Sequence, residues 1–325
     1  MTLYEEHLIR LAETDDRIVV LTAENRAAIR TLPGKLGSRF IDVGICEQTL
    51  LGVAAGLAQR GRRPIVHALA AFLTMRGFEF IRTDIGIGRL PVILVGGVPG
   101  LLSDGNGPTH QAVEDIGLMR GIPGMSVVAP ADQSELTAAV SAALDFGGPC
   151  YLRYYDGPEA AEHQGDYRFG KAEIIGNREA TVIIATYGLL VAQAVLAQRL
   201  LQLQGLDVCV LNMRTVAPLD EQTLLLTAQQ AQLLVVVEDH FQTGGLFSAI
   251  AECFTLASLS VPVLPINLKH DWFAAGLLNS VLKATNLSGT CIADTIVAQL
   301  ENMDGKHYTP TARLPLHRSI ECDLG

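Results

Sequence analysis

Short runs of β-branched and aliphatic residues, with no polar–apolar alternation, are interleaved with helical patterns along most of this chain. A strand that is apolar on both faces needs cover on both. A parallel sheet sandwiched between helices provides it. The runs Ile18–Thr22, Phe40–Val43, Pro64–Ala68, Val92–Gly96, Ser126–Ala129 and Cys150–Tyr154 are therefore predicted strands. Between them, Tyr4–Ala12, Glu47–Gln59, Thr74–Ile85, Ala112–Met119 and Ser134–Asp145 carry apolar residues at helical spacing. A second series follows. Its predicted strands are Thr181–Thr186, Asp207–Leu211, Leu233–Glu238 and Pro262–Ile266, and its helices lie near Leu189–Gln204, Asp220–Gln229, Leu246–Leu256 and Leu277–Thr285. This β-α alternation predicts the α/β class, as two doubly wound domains. The glycine- and charge-rich stretch between the two series reads as a linker with a short hairpin. The expected division is domain 1–158, linker 159–179, domain 180–301 and a polar tail 302–325.

Composition narrows the function. The chain is 49% hydrophobic and 18% charged, with a formal net charge of −10. So apolar a chain can bury a large core, which excludes intrinsic disorder. An acidic balance disfavours nucleic acid as a partner, because that needs a basic face. The low charge fraction points to surface buried against another chain. The N-terminal MTLYEEHLIRLAETDD is no secretory signal, and no run of about 18 apolar residues predicts a membrane span. The six cysteines are scattered with no C-x-x-C pair. They read as reduced, mostly buried thiols of a cytoplasmic protein, with neither a disulfide framework nor a zinc site.

Four segments bear on chemistry. In Arg39–Gly61 a strand ends at Gly44 and a helix begins near Cys46, which puts Glu47 in the first helical turn at a strand's carboxyl end. Open α/β sheets bind ligands there. An acid also suits any helix start through the macrodipole. The same helix carries Gly52 and Gly56, which suit close approach of another backbone, across a subunit interface or within the chain. In Pro64–Arg82, Phe72, Met75, Phe78, Glu79 and Arg82 recur at helical spacing, mostly as core. Phe72, at the strand-to-helix junction, alternatively faces a ligand ring. In Gly96–Arg120, a glycine-rich loop leads to Thr109 as a helix N-cap, with His110 in the opening turn. A helix N-terminus keeps such an imidazole neutral and fit for proton transfer. An exposed histidine beside a capping loop fits equally. In Gly148–Asp156, Arg153 at a strand end suits either an anion or an ion pair.

Taken in order, these segments resemble one family. The carrying motifs are D-V-G-I-C-E-Q (Asp42–Gln48), A-A-G-L-A (Ala54–Ala58), F-L-T-M-R (Phe72–Arg76), I-R-T-D (Ile81–Asp84) and G-P-T-H-Q-x-x-E-D (Gly107–Asp115). Further on come P-A-D (Pro130–Asp132), Y-L-R (Tyr151–Arg153), N-M-R-T-V-x-P-L-D (Asn212–Asp220) and V-E-D-H-x-x-x-G-G-L (Val237–Leu246). Up to about residue 300 the chain resembles the C-terminal half of transketolase, a pyrimidine-binding domain followed by the transketolase C-terminal domain.

The resemblance implies a thiamine-diphosphate-dependent transferase that moves a two-carbon ketol or acyl unit by breaking and forming C–C bonds. It implies that Glu47 hydrogen-bonds and activates the cofactor's aminopyrimidine, with Phe72 stacked on that ring and Leu69 and Arg76 beside it. His110, Asn106 and Arg153 match substrate-facing positions, Arg153 that of a phosphate ligand. Family members hold diphosphate and Mg²⁺ through a G-D-G motif, which this sequence lacks. The expectation is a split enzyme. A separate N-terminal subunit carrying G-D-G would hold diphosphate and Mg²⁺, in an α2β2 assembly. Glu238, Asp239 and His240 are expected to be structural or interfacial.

Departures from the family pattern concern substrate. Asn106 replaces an aspartate, Val98 a histidine and Leu69 an aromatic residue, and no arginine matches the one that opens the pyrimidine domain. Fewer charge-assisted hydrogen bonds to phosphate follow, so a substrate other than an ordinary pentose phosphate is expected. Two alternatives remain at this level: the β subunit of a 2-oxo-acid dehydrogenase or synthase, and a non-catalytic paralogue acting as a scaffold. A scaffold needs none of Glu47, Phe72 and His110.

Overall fold

The computed structural model describes residues 1–163 and 165–303. A capping box opens the chain. The Thr2 hydroxyl accepts from the Glu5 amide at 3.1 Å, and the Glu5 carboxylate accepts from the Thr2 amide at 2.9 Å. Two amides that a helix start leaves unpaired are thereby satisfied. The first domain then runs α1 (Leu3–Thr14), β1 (Ile18–Thr22), α2 (Leu32–Leu36), β2 (Phe40–Asp42), α3 (Glu47–Gln59) and β3 (Arg63–Leu69). Periodicity predicts one regular helix over Thr74–Ile85. The chain instead makes wide, π-type turns at Phe72–Arg76 and Ile81–Gly86, on either side of the single turn α4 (Phe78–Phe80). It rides close on α3, where a Cβ on Gly77 would meet Leu51 Cδ1 at 2.4 Å. β4 (Ile93–Gly97), α5 (Asp115–Arg120), β5 (Ser126–Val128), α6 (Gln133–Phe146) and β6 (Cys150–Arg153) complete the series.

The second domain comprises β7 (Glu173–Ile175), β8 (Val182–Thr186), α7 (Leu190–Gln202), β9 (Val208–Asn212), β10 (Thr215–Ala217), α8 (Glu221–Ala228), β11 (Leu233–Val237), α9 (Leu246–Leu256), β12 (Val263–Ile266), α10 (Leu278–Ala284) and α11 (Gly289–Met303). β7 lies in the stretch expected as a linker. It forms no hairpin there, but pairs antiparallel with β9. α11 lies beyond the predicted helices and packs on α7, where a Cβ on Gly289 would meet Leu196 at 2.8 Å. The tail beyond Met303 lies outside the described residues.

Two sheets result. The first has the order β10-β5-β6-β4-β3-β1-β2, parallel except for β10, and the second β12-β11-β8-β9-β7, parallel except for β7. Every residue of β1, β8, β9 and β11 is buried, which is why those runs show no alternation. In the first sheet the strand order reverses between β1 and β3, and in the second between β8 and β11. Crevices open beyond the carboxyl ends of strands at such reversals.

The domains are not beads on a string. β10 follows the second domain's β9 in sequence yet pairs with β5 of the first sheet. One apolar cluster runs from Leu50, Leu94 and Tyr151 to Ile183, Leu211 and Val236. The connecting segment is pinned by charge as well. His163 reaches Asp132 at 2.6 Å and Glu173 at 2.9 Å, and Arg214 pairs with Glu173 at 3.1 Å and with Glu135. Asp132 also caps α6 through the Ser134 and Glu135 amides. Among the described residues no helix is long and apolar enough to cross a membrane. Cys46, Cys150, Cys209, Cys253 and Cys291 are all free thiols, and Cys322 lies outside the described residues.

Candidate active site

The first reversal point is where three of the predicted residues, Glu47, Leu69 and Phe72, converge. β1 ends there and continues as Ala23-Glu24-Asn25, α3 starts there after the Gly44 turn (φ +73°), and β3 ends there at Leu69. Ala23, Glu24, Asn25, Ile45, Glu47, Leu69 and Phe72 line a cavity of about 400 Å³. Cavities of similar size also lie beside β12, beside β7 and near Arg17, but none of these sets a buried carboxylate against an aromatic face.

Glu47 is the first residue of α3 and is 2% exposed. Its Oε2 accepts from Arg76 Nη1 at 2.8 Å. The Arg76 guanidinium also lies over the Phe72 ring, 4.5 Å from its centroid. That contact orders Phe72 and Arg76 together. His110 meets the Phe72 ring edge-on, with centroids 5.1 Å apart at 68°. Glu47 and Phe72 line the cavity itself, whereas Arg76 and His110 lie outside its wall and join it through Phe72. An apolar slot with a buried carboxyl at one edge suits a flat heteroaromatic ring whose nitrogen meets that carboxyl.

His110 reaches Phe72 by a route that the sequence pattern misreads. Thr109 caps no helix. Gly107–Thr109 is a 3₁₀ turn that ends at His110, and α5 begins only at Asp115. Between them Ala112 is bridged to Pro99 and Gly100, which draws the chain out of helical geometry. The imidazole is therefore oriented by the Thr109 hydroxyl, 2.9 Å from Nδ1, and not by a helix dipole. Asn106 donates to Ser103 Oγ at 3.2 Å and does not line the cavity.

Arg153 departs from expectation. It is 4% exposed and does not line the cavity. Its Nε donates to Asp115 Oδ2 at 3.0 Å, and its two terminal nitrogens donate to Asp239 at 2.7 and 3.3 Å. A guanidinium sealed between two carboxylates is not available to a substrate phosphate. The physical reason is tertiary: Asp239 comes from the other domain. Glu238, Asp239 and His240 all serve packing and junction contacts. Glu238 caps α9 through the Leu246 and Phe247 amides at 2.7 and 3.3 Å, and burial pushes its carboxyl up to about 8. His240 Nε2 accepts from the Gly117 amide at 3.2 Å.

Ala23, Glu24 and Asn25 were absent from the predicted site. Their only sequence signal is position, directly after a buried strand. Asn25 also explains Gly97, since a Cβ on Gly97 would lie 2.8 Å from Asn25 Nδ2.

Comparison with known proteins covers both domains. The pattern of the transketolase pyrimidine-binding domain matches residues 1–156, and that of the transketolase C-terminal domain matches residues 170–289. The 6-deoxy-6-sulfo-D-fructose transketolase subunit SqwH of Clostridium sp. (strain MSTE9) is 36% identical over 278 residues, covering 84% of this chain and 86% of that protein. A 1-deoxy-D-xylulose-5-phosphate synthase of Synechococcus sp. (strain JA-3-3Ab) is 34% identical over 92% of this chain, which spans only 47% of that relative. Among solved structures, a split gene transketolase described as an inactive beta4 tetramer gives a TM-score of 0.82 at 30% identity, covering 90% of this chain and 95% of that one. The transketolase of Pichia stipitis complexed with sedoheptulose 7-phosphate shares the fold, with a TM-score of 0.77 at 19% identity over 94% of this chain and 46% of that one. By two matched domains in the expected order, the chain belongs to the transketolase family.

Proposed function

We propose that this chain is the β-type subunit of a two-chain, thiamine-diphosphate-dependent transketolase-like enzyme that transfers a two-carbon ketol or acyl unit. The observation that carries the reading is the Glu47–Phe72–His110 arrangement at the β1/β3 reversal point. When bound, thiamine diphosphate supplies the nucleophilic carbon and the electron sink for making and breaking a C–C bond beside a carbonyl. Glu47 presents its carboxyl to a ring nitrogen and holds or hands over the proton there. Phe72 and Leu69 wall the ring, and Arg76 keeps both Glu47 and Phe72 in place. His110, reached across Phe72, exchanges protons with substrate hydroxyls.

The residues present fit only the pyrimidine end of that cofactor. The sequence contains no G-D-G. The one cluster among the described residues with metal-ligand spacing, Glu135–His163–Glu173, lies at the domain junction and is already paired with Arg214. We assign diphosphate and Mg²⁺ to a partner subunit, in an α2β2 assembly in the cytoplasm. Two relatives support a separate partner subunit, because their names describe a subunit and a split gene product and the chain spans 86% and 95% of them. The cavity's own surface agrees: Ile45 on its wall is 73% exposed, and nothing approaches within 4 Å of a Cβ placed on Gly52 or Gly56 of α3. With Arg153 sealed, this chain offers that arginine to neither a phosphate nor a sulfonate, and the name of one relative makes a sulfonated sugar the candidate for a non-standard substrate. A second reading is the β subunit of a 2-oxo-acid dehydrogenase or synthase, which would release carbon dioxide; a match to 1-deoxy-D-xylulose-5-phosphate synthases, of which this chain spans about half, keeps a synthase in view.

Calorimetry with thiamine diphosphate and Mg²⁺ tests the assignment, on this chain alone and co-expressed with a G-D-G subunit. Binding by the pair only is expected. Tight binding by this chain alone would refute the split site. Release of carbon dioxide from pyruvate by the pair would select the second reading.

A further inference from the structure

The second domain has its own strand-order reversal, between β8 and β11, and so its own crevice. In other α/β domains that crevice receives a ligand. Here the first domain fills it. Arg153 enters from the end of β6, its guanidinium carbon lies 5.2 Å from the centroid of Tyr187, and Asp239 grips it at 2.7 and 3.3 Å from the end of β11. On the first-domain side Asp115 takes the remaining nitrogen, and Asp115 is itself held by the Tyr151 hydroxyl at 2.6 Å. Arg153 also donates to the Ala112 carbonyl at 3.4 Å. Ala112 anchors the glycine-rich loop, because its carbonyl accepts from the Gly100 amide at 2.8 Å. Gly100 has φ +58°, and a Cβ there would fall 1.6 Å from Asp239 Oδ2. The second domain grips the same loop at three more points. The Phe241 amide donates to Val113 O at 3.0 Å, the Leu278 amide donates to Asp104 Oδ1 at 2.9 Å, and Gly107 abuts Ala275.

We propose that Asp239, acting through Arg153 and Asp115, is a positioning residue: it is the clamp by which the second domain sets the loop that carries Asn106 and His110. The second domain contributes no residue to the cavity wall, so its influence on the chemistry passes through this loop. The inference rests on the reading of His110 as substrate-facing. It adds a role for the junction that neither the fold nor the cavity requires.

The test is a double-mutant cycle in the assembled two-subunit enzyme, with Asp239→Asn, His110→Ala and both together. A misplacement of about 1 Å costs about 100-fold in rate, so Asp239→Asn is expected to lower kcat by about 10- to 100-fold with cofactor half-saturation within about two-fold. In the His110→Ala background the same change should cost less than about three-fold, because the positioned group is already gone. A loss carried over in full, or an unchanged kcat, overturns the clamp. Hydrogen exchange on the full chain gives a second readout without turnover. Loop amides, Gly100 among them, should exchange at least about ten-fold faster in Asp239→Asn while those of β8 and β11 stay protected. Unchanged loop exchange also overturns the clamp. If His110→Ala retains full activity, the substrate-facing reading of His110 fails, and exchange alone decides the clamp. If Asp239→Asn does not fold, Arg153→Lys keeps the buried cation without the two-pronged contact and is read in the same way.

Discussion

Replacing Arg153 with methionine isolates the energetics of the domain junction. The arginine is 4% exposed, and its partners Asp115 and Asp239 are 0% and 2% exposed at their side chains. Removing the cation strands two buried carboxylates, and breaking a buried pair in this way costs about 3–5 kcal/mol. The structure says which group suffers. Asp115 keeps the Tyr151 hydroxyl at 2.6 Å, whereas both of Asp239's side-chain contacts are to Arg153. Urea unfolding of both proteins at neutral pH measures this. A deficit below about 1 kcal/mol would refute the buried-charge argument. Adding Asp239→Asn to the variant should recover most of the loss.

Three further outcomes are expected. Glu47→Gln should cut turnover of the assembled enzyme by at least about 100-fold while thermal stability barely moves, because its partner Arg76 is 44% exposed and such pairs contribute at most about 1 kcal/mol; turnover within ten-fold of wild type speaks against the assigned role. Gly100→Ala should lower the urea midpoint through a left-handed backbone cost of about 1–2 kcal/mol, with displacement of Asp239 in addition; an unchanged midpoint contradicts the geometry. The Asp132 and Glu173 contacts hold His163 up to about 10, against an ordinary value of 6.5. Its contribution is therefore complete below pH 6.5 and is lost as pH rises towards 10. His163→Gln should flatten the fall in melting temperature across that window, and a parallel pH profile counts against the assignment.

Much of the site was legible because it depends on local order. Glu47 opens α3 and Phe72 follows β3 wherever those elements pack, so a strand ending at Gly44 and a β-to-helix junction near residue 70 already put both at a strand's carboxyl end. The motif spacing then tied them to one family. The Thr109 N-cap reading failed because a distant contact, the Pro99–Ala112 bridge, competes with local helix propensity. β10 was missed because it is three residues long and its partner β5 lies some 90 residues earlier. The regular helix expected over Thr74–Ile85 has the right apolar spacing, and only its seat on α3 decides the wider winding.

Arg153 draws the line between the two kinds of information. Apolar runs, turn residues and caps such as Thr2, Asp132 and Asp220 act within a few residues, so the sequence alone determined two α/β layers and a carboxylate at a strand-to-helix junction. What an arginine at the end of β6 faces depends on a residue 86 positions away. The same side chain suits either an anion or an ion pair in sequence and is a sealed junction in the fold. Only tertiary structure decides between these, because a charge's role is set by the counter-charges and dielectric that distant segments bring to it.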